Sequence, residues 1–188
     1  MLSSSLARIA MLAVIPAFLN AADAVDYRVL ATSKTSTMEK EMNEAADAGF
    51  IFGAVMGGNT ALGGKEVVVV MQKGSSPEAA KRSYKLLATS KTSTMQKELQ
   101  QLGDEGFDYR GQSVFDTALG GKEVVVILER DNTKPSSKIE YRLLATSKTS
   151  TMQKELREAG DLGFSIVGMT VSKTAFGGNE LVSILRKQ

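Results

Sequence analysis

The chain is almost entirely one segment repeated three times. Tyr27, Tyr84 and Tyr141 each open a copy, 57 residues after the previous one, and the copies align without an insertion or deletion. A fixed period of this length is typical of proteins that stack one supersecondary unit on itself. A single copy is close to the lower size limit for folding alone without disulfides or metal. We therefore expect the three copies to share a hydrophobic core.

Two polar stretches separate the copies. Each carries a cluster of Ser and Pro, Ser75-Ser76-Pro77 in the first and Pro135-Ser136-Ser137 in the second, which is typical of a linker. The predicted organisation is a signal peptide at 1–24, the first repeat at 25–73, a linker at 74–83, the second repeat at 84–130, a linker at 131–140 and the third repeat at 141–188.

The N-terminal segment has the pattern of a secretory signal peptide. Arg8 precedes an apolar run from Ile9 to Leu19, and Ala22-Asp23-Ala24 matches the A-x-A cleavage pattern. The run is short for a membrane span, which needs about 20 residues, so we expect cleavage after Ala24 rather than an uncleaved anchor. The mature protein is then exported, periplasmic or extracellular, and has no membrane span.

Each copy predicts the order strand, helix, strand, strand, which is an α+β fold. In the first copy, Tyr27 to Thr32 is the first strand. Ser36 and Glu39 have the spacing of a capping box, so the helix is expected to start there. The other copies repeat this pair as Ser93/Gln96 and Ser150/Gln153.

The predicted helix is amphipathic and ends at a glycine. Apolar or small residues recur at helical spacing in the three copies, at Met38, Met42, Ala45 and Ala46, at Met95, Leu99, Leu102 and Gly103, and at Met152, Leu156, Ala159 and Gly160. Small residues at the last position indicate a close approach of the helix to a sheet. Gly49, Gly106 and Gly163 stand where a left-handed cap is expected, each followed by a Phe that should enter the core.

The last two strands of each copy form a predicted hairpin. In the first copy the second strand runs from Phe50 to about Met56, a turn contains Gly63-Gly64, and the third strand runs from Glu66 to Met71. Val67 to Val70 is continuously apolar, which favours a strand buried on both faces. We therefore place the third strand in the centre of a three-stranded, mainly antiparallel sheet. The helix covers one face and another repeat is expected to cover the other, in a pseudo-threefold arrangement; independent units on a string are the alternative.

The end of the predicted helix resembles that of a known family. Leu99-Gln-Gln-Leu-Gly-Asp-Glu-Gly-Phe107 and its counterpart in the third copy are similar to the helix-end signature of short bacterial domains catalogued as domain of unknown function 4177. That family also opens with a Tyr-containing strand and ends with an apolar strand before Lys or Arg, as in Val124 to Arg130. The chain departs at Phe107, where the family favours Trp, and at Ala46, where the other copies have Gly. The resemblance implies a β-α-β-β fold in all three repeats and implies no activity.

Composition excludes several kinds of chemistry. The chain has no Cys and no His, so it lacks the usual metal ligands, a thiol nucleophile and the commonest general base near neutral pH. Ser33 and Lys34, the residue types of a Ser–Lys pair, are sequence neighbours in a loop. We therefore expect no enzyme activity, no cofactor and no metal site. The net charge of +2 and the absence of a basic stripe with exposed aromatics also argue against a nucleic-acid partner.

One segment is identical in all three copies. Ala-Thr-Ser-Lys-Thr-Ser-Thr-Met recurs at 31–38, 88–95 and 145–152, whereas the second strands have diverged. One interpretation is an anion site, since a helix N-terminus, a Lys and several hydroxyls attract negative groups. The other is that Ser and Thr cap the helix and satisfy the turn. The candidate ligand-binding residues are Ser33, Lys34, Thr35, Ser36, Ser90, Lys91, Thr92, Ser93, Ser147, Lys148, Thr149 and Ser150.

These features predict an exported, non-catalytic protein that acts by binding or assembly through a triplicated surface. The expected partner is an anionic small molecule, an envelope polymer or another copy of the chain. Two alternatives stay open: an enzyme or sensor acting on a small anionic ligand, and a purely structural, self-assembling envelope protein.

Overall fold

A computed structural model describes residues 24–60, 64–73, 81–116, 122–173 and 178–188. The first repeat contains β1 (Asp26–Thr32), α1 (Thr35–Asp47), β2 (Ile51–Thr60) and β3 (Gly64–Lys73). The second contains β4 (Arg82–Thr89), α2 (Thr92–Asp104), β5 (Asp108–Asp116) and β6 (Lys122–Asp131). The third contains β7 (Glu140–Thr146), α3 (Thr149–Asp161), β8 (Ser165–Lys173) and β9 (Asn179–Lys187). The predicted signal peptide lies outside the described residues, as do the hairpin turns at 61–63, 117–121 and 174–177.

Each repeat forms its own antiparallel sheet with the last strand in the centre. The strand orders are β1-β3-β2, β4-β6-β5 and β7-β9-β8. In the first sheet Val69 of β3 lies opposite Leu30 on one side and Val55 on the other. The predicted α+β fold and the central position of the third strand are both confirmed. The strands of the hairpin are longer than predicted, because the pairing runs on through polar and glycine residues to Thr60.

Helices α1 and α2 bury all four residues of the predicted apolar stripe, whereas α3 buries only Met152 and Ala159, and each helix ends just before the predicted glycine. Met38, Met42 and Ala45 have no exposed surface. Gly49 has a φ of 88°, in the left-handed region that glycine adopts without strain. The following Phe50 is buried and lies under the guanidinium of Arg28, 4.5 Å from the ring centre. Gly106 and Gly163 also have positive φ, and Phe107 and Phe164 are also buried, under Arg130 and Arg142 respectively.

Neighbouring repeats share hydrophobic cores, as predicted. The first cluster joins Met42 and Val69 of the first repeat to Tyr84, Val125 and Ile127 of the second. Helix α1 therefore packs against its own sheet on one side and against β4 of the next sheet on the other. A second cluster joins the second repeat to the third in the same way, with α2 against β7.

Polar side chains of each helix also bind the edge of the next sheet. Asn43 accepts the Tyr84 N–H at 3.0 Å and donates to the Tyr84 carbonyl at 3.0 Å, and Glu39 accepts the Leu86 N–H at 3.0 Å. In the second repeat Gln100 accepts the Tyr141 N–H and Gln96 accepts the Leu143 N–H, at 2.9 and 2.7 Å. These bonds satisfy backbone groups that an edge strand otherwise leaves unpaired.

The prediction of pseudo-threefold packing is wrong, because the repeats stack in series. The contacts between α1 and β4 recur between α2 and β7, but α3 makes no comparable contact with β1 in the described part of the chain. The Tyr27 side chain on β1 is 61% exposed, whereas its equivalents Tyr84 and Tyr141 are buried. Units on a string are excluded as well, since the cores are shared.

Candidate functional site

The three identical loops lie at the starts of the three helices. In the first repeat the chain leaves β1 at Thr32, passes through Ser33 and enters α1 at Thr35, with Lys34 as the N-cap in an extended conformation. Lys91 and Lys148 are the N-caps of α2 and α3 in the same conformation. Each set of candidate residues therefore belongs to its own helix start.

The Ser and Thr hydroxyls do not cap the helices. No side-chain cap hydrogen bond is present at Lys34, Lys91 or Lys148. The helix begins one residue before Ser36, so the predicted capping box is wrong, and Glu39 bonds to the second repeat instead. One hydroxyl in each loop has a structural role, since Thr32 Oγ1 accepts the Lys34 N–H at 3.1 Å. Thr89 and Thr146 do the same for Lys91 and Lys148.

Most of the other polar groups of each loop face solvent, although Thr35 and Thr92 are half-buried. Ser33, Lys34 and Ser36 are exposed, as are their equivalents Ser90, Lys91, Ser93, Ser147, Lys148 and Ser150. Their side chains make no hydrogen bond or ion pair with the described residues. The first helical bond runs from the Met38 N–H to the Lys34 carbonyl at 3.1 Å, so the N–H groups of residues 35–37 have no helical partner. Each loop thus combines free N–H groups, a Lys ammonium and free hydroxyls.

A second polar cluster, which no motif in the sequence predicts, surrounds Glu129 in the middle repeat. This carboxylate is only 5% exposed. It accepts from Arg82 at 2.7 Å, from Arg110 at 2.6 Å and from the Tyr84 hydroxyl at 2.6 Å. A buried carboxylate is tolerated only when it is paired in this way. The Tyr84 oxygen also accepts the Phe52 N–H at 2.8 Å, so the cluster joins the first two repeats.

The sequence did carry a signal for this cluster. Arg82 stands where the other repeats have Val25 and Ile139, and Glu129 stands where they have Gln72 and Arg186. Charges that occur in one copy at positions that are apolar or of different charge in the others point to a contact unique to that copy. Such charges are found by comparing equivalent positions of the three repeats, and not by searching for motifs along the chain.

The electrostatics of this cluster indicate a structural role. Burial and the neighbouring Glu129 carboxylate raise the pKa of Tyr84 well above its ordinary value. Burial raises the pKa of Tyr109 to about 12. Hydrogen bonds from Thr133 lower the pKa of Asp131 to about 2. These shifts keep both tyrosines protonated and Asp131 ionised at neutral pH, so none of the three groups supplies an acid or base poised for proton transfer.

An open cavity of about 200 Å³ lies beside the cluster. Its walls come from the second repeat, the following linker and the chain end, and include Arg82, Arg110, Glu129, Arg130, Asp131 and Gln188. Charges of both signs line it, and Arg186 is paired with Asp108 at its side. Most of these charges are paired with one another, and Arg130 bonds to Asn132, so little net attraction is left for a ligand of either sign.

Comparisons with protein-family models, with curated proteins and with solved structures found no match. Among the residues that the structure describes, no group of three or more acidic side chains is arranged to hold a metal ion. None of the helices in this part of the chain is both long enough and apolar enough to cross a bilayer.

Proposed function

We propose that the chain is an exported, non-catalytic binding protein whose three identical loops each bind an anionic group. The supporting observation is that Ser33, Lys34 and Ser36 are exposed and make no contact that would explain their identity in every repeat. Helix capping, the other interpretation of the segment, does not account for them because no side-chain cap is formed. The unassigned role of these side chains favours a ligand.

The chemistry of each loop suits an anion. Unpaired N–H groups at the start of a helix carry partial positive charge, to which the Lys34 ammonium adds a full charge. The hydroxyls of Ser33 and Ser36 can donate to carboxylate, sulfate or phosphate oxygens. The site is open to solvent, so binding at a single loop is expected to be weak and sensitive to salt.

Three weak sites on one chain favour an extended partner. The repeats stack by one recurring set of contacts, so each layer carries one loop in the same setting. An anionic envelope polymer engages several loops at once and gains affinity through effective concentration, whereas a small anion engages one. Location in the periplasm or outside the cell rests on the predicted signal peptide, and membership of the resembled domain family stays a prediction.

The alternative of an enzyme or sensor for a small anionic ligand needs the loops to converge on one pocket. Because the repeats stack in series, each loop lies on a different repeat along the stack. This placement favours three separate binding sites over one shared pocket. We therefore place the binding protein first.

The test is calorimetric or NMR titration with sulfate, phosphate and a polyanion. In the K34A/K91A/K148A variant the affinity for each is expected to fall at least about tenfold, since a hydrogen bond to a charged group contributes about 1.5–3 kcal/mol. The matched control is K40A/K97A/K154A, which removes the same charge from equivalent exposed positions on the same three helices. Equal affinities in the two triple variants would show that the loops are not the site.

A further inference from the structure

The large apolar side chains that remain exposed lie at the two ends of the stack. In the described chain they are Val25, Tyr27, Val29 and Met56 in the first repeat and Leu162, Ile166, Met169 and Val171 in the third. The described part of the middle repeat has none. We call the first set the head face and the second set, with the outer side of α3, the tail face. Exposed apolar patches of this kind mark interaction sites.

The head face is the surface that the other repeats bury against their predecessors. Tyr27 is 61% exposed, whereas Tyr84 and Tyr141 at the same position are 1% and 3% exposed. Ile139, the equivalent of Val25, is also buried. In the second repeat the equivalent of Met56 is Ser113, whose hydroxyl accepts the Gly57 N–H of the first repeat at 2.7 Å.

The tail face is the surface that the first two repeats present to their successors. Ile166 and Met169 are equivalent to Phe52 and Val55 of the first repeat. A Cβ built on Gly111 of the second repeat would lie 3.0 Å from the Phe52 ring and 3.1 Å from Val55. These two side chains therefore touch the next repeat, while their counterparts on β8 are more than half exposed.

Helix α3 also carries the equivalents of α2 residues that contact the next repeat, but these residues make no such contact in the described chain. Gln96 donates to the Tyr141 carbonyl and accepts the Leu143 N–H. Its equivalent on α3, Gln153, is exposed and makes no side-chain hydrogen bond with the described residues. Gly103 lies directly against β7, whereas a Cβ on Gly160 would meet nothing within 4 Å.

We propose that the tail face of one copy binds the head face of a second copy, and so extends the internal stacking from chain to chain. Each end supplies one half of an interface that the chain already forms twice within itself. The contact joins unlike surfaces, so it generates a closed ring or an open filament rather than a twofold dimer. This assembly does not depend on the proposed anion binding.

One substitution makes the junction between chains weaker than those inside the chain. Arg157 replaces Gln100, whose amide accepts the Tyr141 N–H and donates to the Ile139 carbonyl. A guanidinium can donate to the Val25 carbonyl but cannot accept the Tyr27 N–H, since it has no acceptor. The expected assembly is therefore reversible and depends on protein concentration.

The test is the mass of the purified chain, measured by sedimentation or light scattering over a wide concentration range. The mass of the parent is expected to rise with concentration. V29D disables the head face and M169D disables the tail face, so each variant alone is expected to be a monomer. Mixed in equal amounts, they are expected to form a one-to-one dimer and nothing larger, because one intact head meets one intact tail.

Gln101→Asp, on an exposed position of α2 in the middle repeat, is the matched control and should assemble like the parent. Circular dichroism checks that each variant is folded. A parent that stays monomeric at the highest concentration overturns the proposal. Dimers of V29D alone or of M169D alone also overturn it, because they would reveal contacts between like faces.

Discussion

Gly103 and Gly160 occupy the same position in two helices yet have opposite surroundings. The Gly103 Cα faces β7 so closely that an added Cβ would collide with the Ile139 carbonyl and lie 2.8 Å from the Tyr141 ring. Around Gly160 there is open space. In α1 the position is Ala46, which is 1% exposed, so the first junction accommodates a methyl group. Whether this helix position can hold a residue larger than glycine thus depends on whether another repeat packs against it.

The two glycines give a prediction of opposite sign for the same substitution. G103A is expected to lower the free energy of unfolding by about 1–3 kcal/mol, because a backbone carbonyl must move to admit the methyl group. G160A is expected to raise it by about 0.5–1 kcal/mol, because alanine restricts the unfolded chain and favours the helix. Urea unfolding at low protein concentration measures both. Changes of the same sign would mean that α2 does not lie against β7 as described.

At the residue scale the apolar pattern was predictable and the polar roles were not. The stripe of Met38 and Met42 and the cap at Gly49 follow from helical spacing and from glycine's access to positive φ. The spacing of Glu39 from Ser36 predicts a capping box, which the helix does not form. The bond of Glu39 to the Leu86 N–H is a tertiary contact 47 residues away in sequence, which no local spacing encodes.

At the element scale, the first strand of the second and third repeats depends on the preceding helix. Strands β4 and β7 lie at sheet edges, and their outward N–H groups bond to amide or carboxylate side chains of α1 and α2. Side chains of the preceding helix thus supply the hydrogen-bond partners that a fourth strand would otherwise provide along that edge. These bonds satisfy the edges of β4 and β7 at the two junctions between repeats, whereas β1 has no preceding helix in the described chain.

Two equivalent glutamines test whether helix side chains stabilise the edge of the next sheet, since Gln96 bonds to β7 and Gln153 is exposed. Q96A is expected to lower the free energy of unfolding by about 1–3 kcal/mol, because the Leu143 N–H and the Tyr141 carbonyl lose their partner. Q153A, at the equivalent exposed position of α3, is expected to change it by less than about 0.5 kcal/mol in the monomer. Denaturant unfolding of both variants is the measurement. A cost for Q96A no larger than that for Q153A would contradict the edge-binding role.

The order of the elements was predictable from sequence, and so was the central strand. The unbroken apolar run at Val67 to Val70 predicts a central strand covered on both faces, and β3 is the middle strand of its sheet. Its burial nevertheless alternates, with Val67 and Val69 buried and Val68 and Val70 partly exposed. Val68 and Val70 are apolar, as a buried face requires, but no described repeat precedes the first sheet to cover that face. Only the second and third sheets have a preceding repeat.

At the scale of the whole molecule, the burial of the central strand depends on the position of its repeat in the stack. In β6 every residue from Val124 to Leu128 is buried, because helix α2 covers one face and the first repeat covers the other. The outer face of the first sheet has no such neighbour in the described chain. Similar repeats predict shared contacts, but they do not reveal whether those contacts close into a ring or continue in a line. The exposed Tyr27 and Gly160 settle this in favour of a line.

Serial stacking predicts a gradient of local stability, because each repeat gains stability only from its immediate neighbours. Under monomeric conditions the amides of β6 are expected to exchange with solvent at least about tenfold more slowly than those of β3 and β9, a difference of about 1.4 kcal/mol. Hydrogen exchange followed by NMR or mass spectrometry measures this in the intact chain. At assembling concentrations β1 and α3 are expected to gain protection in the parent but not in the M169D variant. Equal protection of β3, β6 and β9 in the monomer would instead indicate one cooperative unit and contradict a stability that passes only between neighbours.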